Sequence, residues 1–194
     1  MRVLVACESS GVVRQAFRRS GHDAWSCDLL AADDASEHHI QGDVLPVLGD
    51  GWDMMVCHPP CTYLAVSGAR WFKDRREEQE LALGFVRALL SAPVQRIALE
   101  NPVSVISTKI RKPDQYIQPW MFGHPESKKT GLWLKGLPKL RPTDVLTKPA
   151  CGYWENQTPS GQNKIGPSRD RWKIRSKTYE AIAKAMSDQW GCDG

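Results

Sequence analysis

The sequence predicts an α/β fold in which a doubly wound parallel sheet carries helices on both faces. Short apolar stretches recur through residues 1–99, and turns of small or polar residues follow them. Stretches with helical spacing lie between them, and this alternation is typical of parallel strands joined by helical crossovers. The chain has 194 residues, of which 41% are hydrophobic, and this size suits a single buried core.

The amino-terminal part supplies most of the predicted strands. Apolar stretches cover residues 1–6, 23–28, 52–56 and 96–99, and a short further strand ends at residues 42–44. The apolar side chains between the first two stretches, Val12, Val13, Ala16 and Phe17, have helical spacing, and a glycine stands where this helix should end. The sequence therefore predicts strand, helix and strand in succession.

Two more helices and one more strand are predicted towards the carboxyl terminus. The helices cover residues 74–91 and 176–190, and the strand, which looks isolated, covers residues 131–134. The apolar face expected for the first of these helices contains Leu81, Phe85, Ala88 and Leu89. Residues 135–170 are rich in Pro, Gly, Lys and Asn, a composition typical of loops.

Charge is unevenly distributed along the chain. Residues 1–124 hold 13 Lys/Arg and 15 Asp/Glu, whereas residues 125–194 hold 13 and 7. The basic last third indicates a surface for phosphates, although a solvated charged face would have the same composition. No apolar run approaches the roughly 20 residues that span a bilayer, and no signal-peptide pattern is present, so we expect a cytoplasmic protein with reduced cysteines.

A cysteine and a glutamate follow two of the predicted strands. The strand at 52–56 leads into Cys57-His58-Pro59-Pro60-Cys61, and the strand at 96–99 leads into Glu100-Asn101-Pro102. Two prolines lack amide donors and fit poorly inside a buried strand, so they predict a stiff turn that projects Cys61 from the sheet. A thiol nucleophile beside a carboxylic acid suits attack on an electron-poor ring carbon.

Each of these two residues also has an ordinary structural interpretation. A cysteine after a strand is most often a small buried hydrophobe, and a strand-end glutamate is most often solvated. Their occurrence together favours the functional interpretation. Because Glu100 leaves an apolar strand, we expect burial to raise its pKa and to keep a protonated acid that donates to a ring nitrogen. His58 or the following helix is a candidate to lower the pKa of Cys61.

The first turn has the position of a nucleotide-binding loop. It runs Cys7-Glu8-Ser9-Ser10-Gly11, directly before a helix whose backbone amides can receive a carboxylate or phosphate. It has one glycine where the dinucleotide-binding pattern has three. Asp28 ends the second strand, where an acidic residue commonly binds ribose hydroxyls, and Asp43 is a candidate for a second contact, such as an adenine amino group. Both aspartates have the alternative of capping turns.

Together these pieces resemble the cytosine-5 DNA methyltransferases, which use S-adenosylmethionine. Pro59-Pro60-Cys61 resembles the Pro-Cys nucleophile loop of that family, and Glu100-Asn101-Pro102 resembles its Glu-Asn-Val/Pro loop. Residues 122–130, followed by the strand at 131–134, resemble its Tyr-Gly-x-Pro-Gln-x-Arg-x-Arg segment. Residues 166–172 and the ending of the chain resemble small phage or prophage proteins usually called DNA methylases.

The resemblance implies a mechanism and a set of site residues. Cys61 would add to C6 of cytosine, Glu100 would hold or protonate N3, and C5 would then take the methyl group. Lys128, which matches the first Arg of the basic motif, would contact phosphate or base. Contacts to S-adenosylmethionine fall on Cys7, Glu8, Ser10, Gly11, Asp28, Asp43 and Pro59. Contacts to the substrate fall on Pro60, Asn101 and Lys129.

The same resemblance implies an organisation of the chain. Residues 1–134 would form the catalytic and cofactor-binding core, with the Rossmann-like sheet of S-adenosylmethionine-dependent methyltransferases. Residues 135–170 would form a loop-rich basic segment in place of a recognition domain. Residues 171–194 would supply a carboxyl-terminal helix that packs back on the core.

The sequence departs from the family in three places. Its first loop lacks the Phe-x-Gly-x-Gly-Gly pattern, Thr130 stands where a second Arg is usual, and only about thirty residues separate the strand at 131–134 from Gly166. The family's large target-recognition region cannot fit there. We therefore expect weak sequence recognition, a separate recognition partner, or a small substrate. The expected partner is duplex or single-stranded DNA in a bacterial host cell. The alternatives are a free pyrimidine nucleotide or RNA, and a non-catalytic DNA-binding or anti-restriction protein.

Overall fold

One sheet of seven strands runs through the molecule. The structure is a computed structural model, and it describes residues 1–166, 168 and 171–192. Part of the 166–172 motif therefore lies outside the described residues. The strands are β1 Arg2–Ala6, β2 Asp23–Asp28, β3 His39–Gln41, β4 Met54–Cys57, β5 Arg96–Pro102, β6 Gln115–Ile117 and β7 Thr130–Lys135. Their order is β3-β2-β1-β4-β5-β7-β6.

The direction of the strands agrees with the predicted α/β class and adds one feature to it. The neighbours from β3 through β5 pair in parallel, as expected. Strand β7 pairs antiparallel with both β5 and β6, so the sheet is mixed at that edge. The strand predicted at residues 131–134 is therefore not isolated, because it lies between two partners.

Helices cover both faces of the sheet. They are α1 Val12–Arg19, α2 Arg76–Leu90, α3 Ile106–Lys109, α4 Arg171–Ser176 and α5 Glu180–Trp190, with short 3-10 helices at Leu45–Val47, Val66–Asp74 and Pro119–Met121. Each face of the sheet has its own apolar cluster, and strand β1 contributes side chains to both. Val3 and Val5 join the apolar cluster with α1 and α5, whereas Leu4 and Ala6 join the cluster with α2. Successive side chains of a strand point to opposite faces, so β1 is buried on both.

The predicted apolar face of α2 is right at Leu89, which is fully buried, and wrong at Leu81. Leu81 is 75% exposed, and the buried side chains of the helix are Gln79, Leu83, Val86 and Leu89. Leucines two positions apart lie on opposite sides of a helix, so only one of Leu81 and Leu83 can face the core. The amide of Gln79 donates to the Tyr63 carbonyl over 2.9 Å, and this hydrogen bond satisfies the polar member of the buried face.

Three predicted strand boundaries also shift. Strand β3 ends at Gln41, before residues 42–44, and β4 begins at Met54, after Trp52. Strand β5 continues past Leu99 through Glu100, Asn101 and Pro102, which pair with β7. These three residues, which the family resemblance placed in a loop, are therefore part of a strand. The pairing of β4 with β5 ends at Leu99, so Pro102 interrupts no hydrogen bond between these two strands.

The last helix returns to the beginning of the chain. Ser187 on α5 donates its hydroxyl proton to the Ala16 carbonyl of α1 over 3.1 Å, and the Trp190 indole donates to the Pro138 carbonyl over 3.0 Å. Between β7 and α4, the described residues form no helix or regular strand. Among the helices of the described part of the chain, none is long and apolar enough to cross a membrane.

Candidate active site at the carboxyl ends of the parallel strands

The loop after β4 presents Cys61 at the carboxyl edge of the sheet. The His58 amide donates to the Ala6 carbonyl over 3.0 Å, which extends the pairing of β4 with β1 by one bond. The two prolines then turn the chain, and the Asn101 side-chain amide donates to the Pro59 carbonyl over 2.9 Å. Cys61 is half-buried, and its carbonyl accepts the first bonds of the following turn. A neighbouring strand therefore holds the loop that carries the thiol.

Glu100 lies on β5, the next strand of the sheet, and its carboxylate contacts His58. The side chain is 15% exposed, and its Oε2 lies 3.0 Å from Nδ1 of His58. Burial alone would raise the pKa of Glu100, but the hydrogen bond from His58, the charge of Lys128 and the Thr130 hydroxyl outweigh it and lower the pKa. The prediction of a protonated acid at rest is therefore wrong, because these neighbours stabilise the carboxylate.

The surroundings of Cys61 favour the uncharged thiol, whereas those of Glu100 favour the charged carboxylate. Burial raises the pKa of its thiol, and the charge of Glu100 raises it further, whereas Lys128 and Arg175 lower it. His58 was a candidate to lower this pKa, but its ring is bonded to Glu100 instead. At rest the site therefore pairs a neutral thiol with a charged carboxylate, and Lys128 is close enough for its charge to act on both.

Lys128 is held by the segment that precedes α5. Its Nζ donates to the Lys177 carbonyl over 3.3 Å and lies 5.8 Å from the centre of the Tyr179 ring. Arg175, on α4, brings a second positive charge towards Cys61. The basic carboxyl-terminal part of the chain therefore reaches the thiol, which the charge distribution of the sequence indicated only in general terms.

The three residues predicted to contact substrate occupy different surroundings. Asn101 is buried and bonded to Pro59, and its Oδ1 has no partner among the described residues. Pro60 is exposed on the turn. Lys129 is exposed, and its Nζ lies 4.4 Å from the centre of the Tyr116 ring. A contact of these residues with substrate stays a prediction.

Glu8 occupies the amino terminus of α1. Its carboxylate accepts hydrogen bonds from the Val13 amide over 2.7 Å and the Arg14 amide over 3.2 Å, and the Ser10 hydroxyl lies 3.3 Å from it. The side chain is only 5% exposed. The expectation that these helix amides are open to an external anion is therefore wrong, because the chain supplies its own carboxylate. A role of Glu8 or Ser10 at a cofactor stays a prediction.

Only glycine fits at position 11, both for its backbone conformation and for the space around it. Its φ is 70°, in the left-handed region that favours glycine, and a Cβ there would collide with the Arg14 guanidinium. Arg14 is almost fully buried; it pairs with Asp34 and donates to the Ser26 hydroxyl over 2.9 Å. The single glycine of the first loop therefore makes room for a buried ion pair.

The remaining predicted cofactor residues gather around the ends of β1, β2 and β3. Burial raises the pKa of Cys7 to about 12, and the nearby charges of Asp28 and Asp43 contribute to the rise. One carboxylate oxygen of each aspartate caps a turn, at the Leu30 and Leu45 amides respectively. The second oxygen of each accepts no hydrogen bond from the described residues. Carboxylates accept hydrogen bonds from hydroxyl and amino groups, and a contact of these two aspartates with a cofactor stays a prediction.

Two solved structures share this fold over three quarters of the chain. One is a prophage-encoded protein of E. coli assigned as a DNA modification methyltransferase, with a TM-score of 0.53, 15% sequence identity, and coverage of 75% of this chain and 52% of that chain. The other is the Entamoeba histolytica methyltransferase EhMeth, with a TM-score of 0.55, 17% identity, and coverage of 75% and 57%. The sequence matches no protein-family model and no curated protein.

These likenesses establish the fold class. The chain has the mixed α/β sheet, flanked by helices, of these two methyltransferases. It spans a little more than half the length of either protein.

Proposed function

We propose that this chain transfers a methyl group from S-adenosylmethionine to C5 of cytosine in DNA, through a covalent bond between Cys61 and C6. The observation that carries the proposal is the arrangement of a thiol on the loop that follows β4 and a carboxylate on the neighbouring strand β5, with Lys128 acting on both. The two proteins of the same fold are named methyltransferases, which supports the same reaction type.

The chain's own residues supply nucleophile and acid in this mechanism. The Cys61 thiolate forms a bond to C6, and the displaced π electrons move towards N3 as N3 takes a proton from Glu100. Carbon 5 then accepts the methyl group. Loss of the C5 proton and cleavage of the bond between sulfur and C6 restore the ring. Glu100 would contribute on the order of 10²-fold or more as a general acid.

S-adenosylmethionine, when bound, supplies the electrophilic methyl group. Asp28 and Asp43 would bind its ribose hydroxyls and adenine amino group, because each has a carboxylate oxygen left over from its turn. Cys7, Gly11 and Pro59 would line the same edge of the sheet. The methionine carboxylate would have to bind elsewhere than at the Val13 and Arg14 amides, since Glu8 occupies them.

A polyanionic substrate is supported by charge near the thiol. Lys128 and Arg175 both lower the pKa of Cys61 and come from the basic part of the chain. A cavity of about 20 Å³ lies beside Glu100, lined in part by Lys128, Thr130 and Tyr179. It holds at most a water molecule. The cytosine ring would therefore approach Glu100 from the side of Cys61.

The segment available for recognition is short, so substrate choice needs a direct test. Radiolabelled S-adenosylmethionine would be supplied with duplex DNA, single-stranded DNA, RNA or dCMP, and Cys61→Ala would be the control. We expect 5-methylcytosine in DNA with the natural chain and none with the variant. Label in dCMP or RNA alone would select the alternative substrates. Undiminished label with Cys61→Ala would overturn the covalent mechanism.

A binding protein of the same fold is the alternative from a different class. It would bind DNA with a strong salt dependence, because each neutralised phosphate releases counterions, and it would transfer no label. Measuring DNA affinity between about 50 and 200 mM salt beside the transfer assay would distinguish the two. DNA binding without transfer, in the presence of bound cofactor, would favour this alternative.

A further inference from the structure

His58 is the buried partner of the proposed acid. Its side chain is 10% exposed, its Nδ1 lies 3.0 Å from Oε2 of Glu100, and the two residues are 42 positions apart in the chain. The other ring nitrogen, Nε2, is buried and has no partner among the described residues. An imidazole held by one nitrogen against a carboxylate can share a proton with it.

The proposed reaction needs a proton that Glu100 does not hold by itself. N3 of cytosine is an acceptor, so the group facing it must donate. The contacts of Glu100 favour its charged form, which only accepts hydrogen bonds. Either the carboxylate plays no acid role, or a neighbouring group supplies the missing proton. His58 is the titratable side chain in direct contact with it.

We propose that His58 is a positioning residue that stores, jointly with Glu100, the proton delivered to N3. The inference rests on the proposed methyl transfer to cytosine. In the loaded pair, the imidazolium Nδ1–H faces the carboxylate. As the sulfur of Cys61 bonds to C6, the proton moves from Nδ1 to Glu100 and from Glu100 to N3, which leaves a neutral imidazole beside a carboxylate. Release of the N3 proton at the end of the reaction reloads the pair, so no external reductant or oxidant is involved.

The charge of the pair formed by Glu100 and His58 affects the ionisation of the groups around it. Lys128 and the Thr130 hydroxyl, from the segment entering β7, act on Glu100 from one side. The thiols of Cys57 on β4 and Cys61 beyond it lie close enough for the Glu100 charge to raise the pKa of both, after burial as the first cause. A proton in the pair neutralises this negative charge, so loading the acid also eases ionisation of the nucleophile.

The first test needs neither cofactor nor substrate. The protein would be labelled with ¹⁵N-histidine, and the His58 ring signals would be assigned with His58→Asn and compared between the natural chain and Glu100→Gln. We expect Nδ1 to carry a proton that is hydrogen-bonded to Glu100, and Glu100→Gln to move the resonance of this proton upfield, because an amide is a weaker acceptor than a carboxylate. An Nδ1 proton resonance that Glu100→Gln leaves unchanged would overturn the shared proton, whatever the enzyme does.

The second test separates proton storage from placement. In His58→Asn the side-chain Nδ2 can stand where Nδ1 stands, so the hydrogen bond to Glu100 survives without a transferable proton. We expect kcat to fall about 10²-fold at pH 8, and the defect to shrink as the pH is lowered and Glu100 can be protonated directly. His58→Ala should recover part of the rate with added imidazole. Denaturant unfolding of both variants checks that they fold.

The outcomes are distinguishable from failure of the proposed function. If the natural chain transfers no methyl group, the proposed reaction is wrong, and the Nδ1 proton resonance of His58 alone tests the shared proton. If it does, a loss in His58→Asn that is constant across pH, or no loss at all, would overturn the role of His58. A pH-dependent loss with imidazole rescue would support it.

Discussion

Replacing Glu8 by glutamine should weaken the fold and leave cofactor binding nearly intact. Glu8 lies in a loop that, by position, is expected to bind the cofactor. Its carboxylate instead caps α1, with Oε1 on the Val13 amide and Oε2 on the Arg14 amide. A glutamine side chain would keep one acceptor for Val13 and turn a donor towards Arg14. Glu8→Gln therefore removes one buried hydrogen bond and the negative charge at the helix start.

The expected loss follows from these two terms. An unpaired buried amide costs roughly 1–3 kcal/mol. A favourable charge at a helix amino terminus contributes about 0.3–1 kcal/mol. Together they predict a decrease of about 2–3 kcal/mol in the free energy of unfolding. For a chain of this length that corresponds to a decrease of roughly 5–10 °C in Tm.

The assay pairs Glu8→Gln with Asp28→Asn as a matched control. Urea unfolding gives the free energy of each variant, and calorimetric titration gives its affinity for S-adenosylmethionine. Asp28 is partly exposed at the end of β2, so Asp28→Asn should lower affinity with little effect on unfolding. The reasoning is refuted if Glu8→Gln unfolds like the natural chain but loses cofactor affinity, because Glu8 would then be a ligand and not a cap.

Three other substitutions should each change a measured quantity in a stated direction. Asp34→Asn should lower the free energy of unfolding by about 1–2 kcal/mol at pH 7, because it removes the charged partner of the buried Arg14 while Asp34 itself is partly screened by solvent. Burial alone would raise the pKa of Asp34, but the hydrogen bonds from Arg14 and Gln15 lower it in the folded chain. The stabilisation by Asp34 is therefore fully present above the pKa of the unfolded chain and is lost as pH falls through the pKa of the folded chain. Urea unfolding from pH 7 to 3 should show the natural chain and Asp34→Asn becoming more alike in their free energy of unfolding. Alkylation of Cys61 by iodoacetamide, followed by peptide mass spectrometry, should be faster in Glu100→Gln and slower in Lys128→Met at neutral pH, since Glu100 raises and Lys128 lowers the pKa of the thiol. Rates that change in the reverse directions would contradict this account of the site.

The parallel part of the sheet is predictable because burial on both faces leaves a continuous apolar run. Strand β1 is such a run, with alternate residues in the two apolar clusters. The antiparallel direction of β7 is not predictable in the same way. Residues 130–135 carry no mark of direction, since pairing direction depends on how the chain returns to the sheet. The phase of α2 depends likewise on its neighbours, because both Leu81 and Leu83 offer an apolar side chain.

In the candidate site too, local features could be predicted from the sequence, and contacts between distant residues could not. The stiff turn before Cys61 follows from two consecutive prolines, whose missing amide donors are a local property. The contact between His58 and Glu100 is not local, and it reverses the pKa direction expected for Glu100 from burial alone. The role of Glu8 could not be predicted either. A carboxylate beside the start of a helix can cap that helix or face a ligand, and the hydrogen bonds of Glu8 to the Val13 and Arg14 amides show that it is a cap.

The resting charges of the site also bear on how attack would begin. Attack needs a thiolate at Cys61 and a proton at Glu100, whereas burial and neighbours favour a thiol and a carboxylate. Losing the thiol proton to solvent adds a negative charge to a partly buried site that already holds one, which both desolvation and repulsion oppose. Moving that proton to the pair of Glu100 and His58 leaves the net charge unchanged and removes the repulsion. Lys128 acts on both groups, so its charge stabilises the negative charge before and after the transfer, and Arg175 adds a second positive charge that stabilises the thiolate.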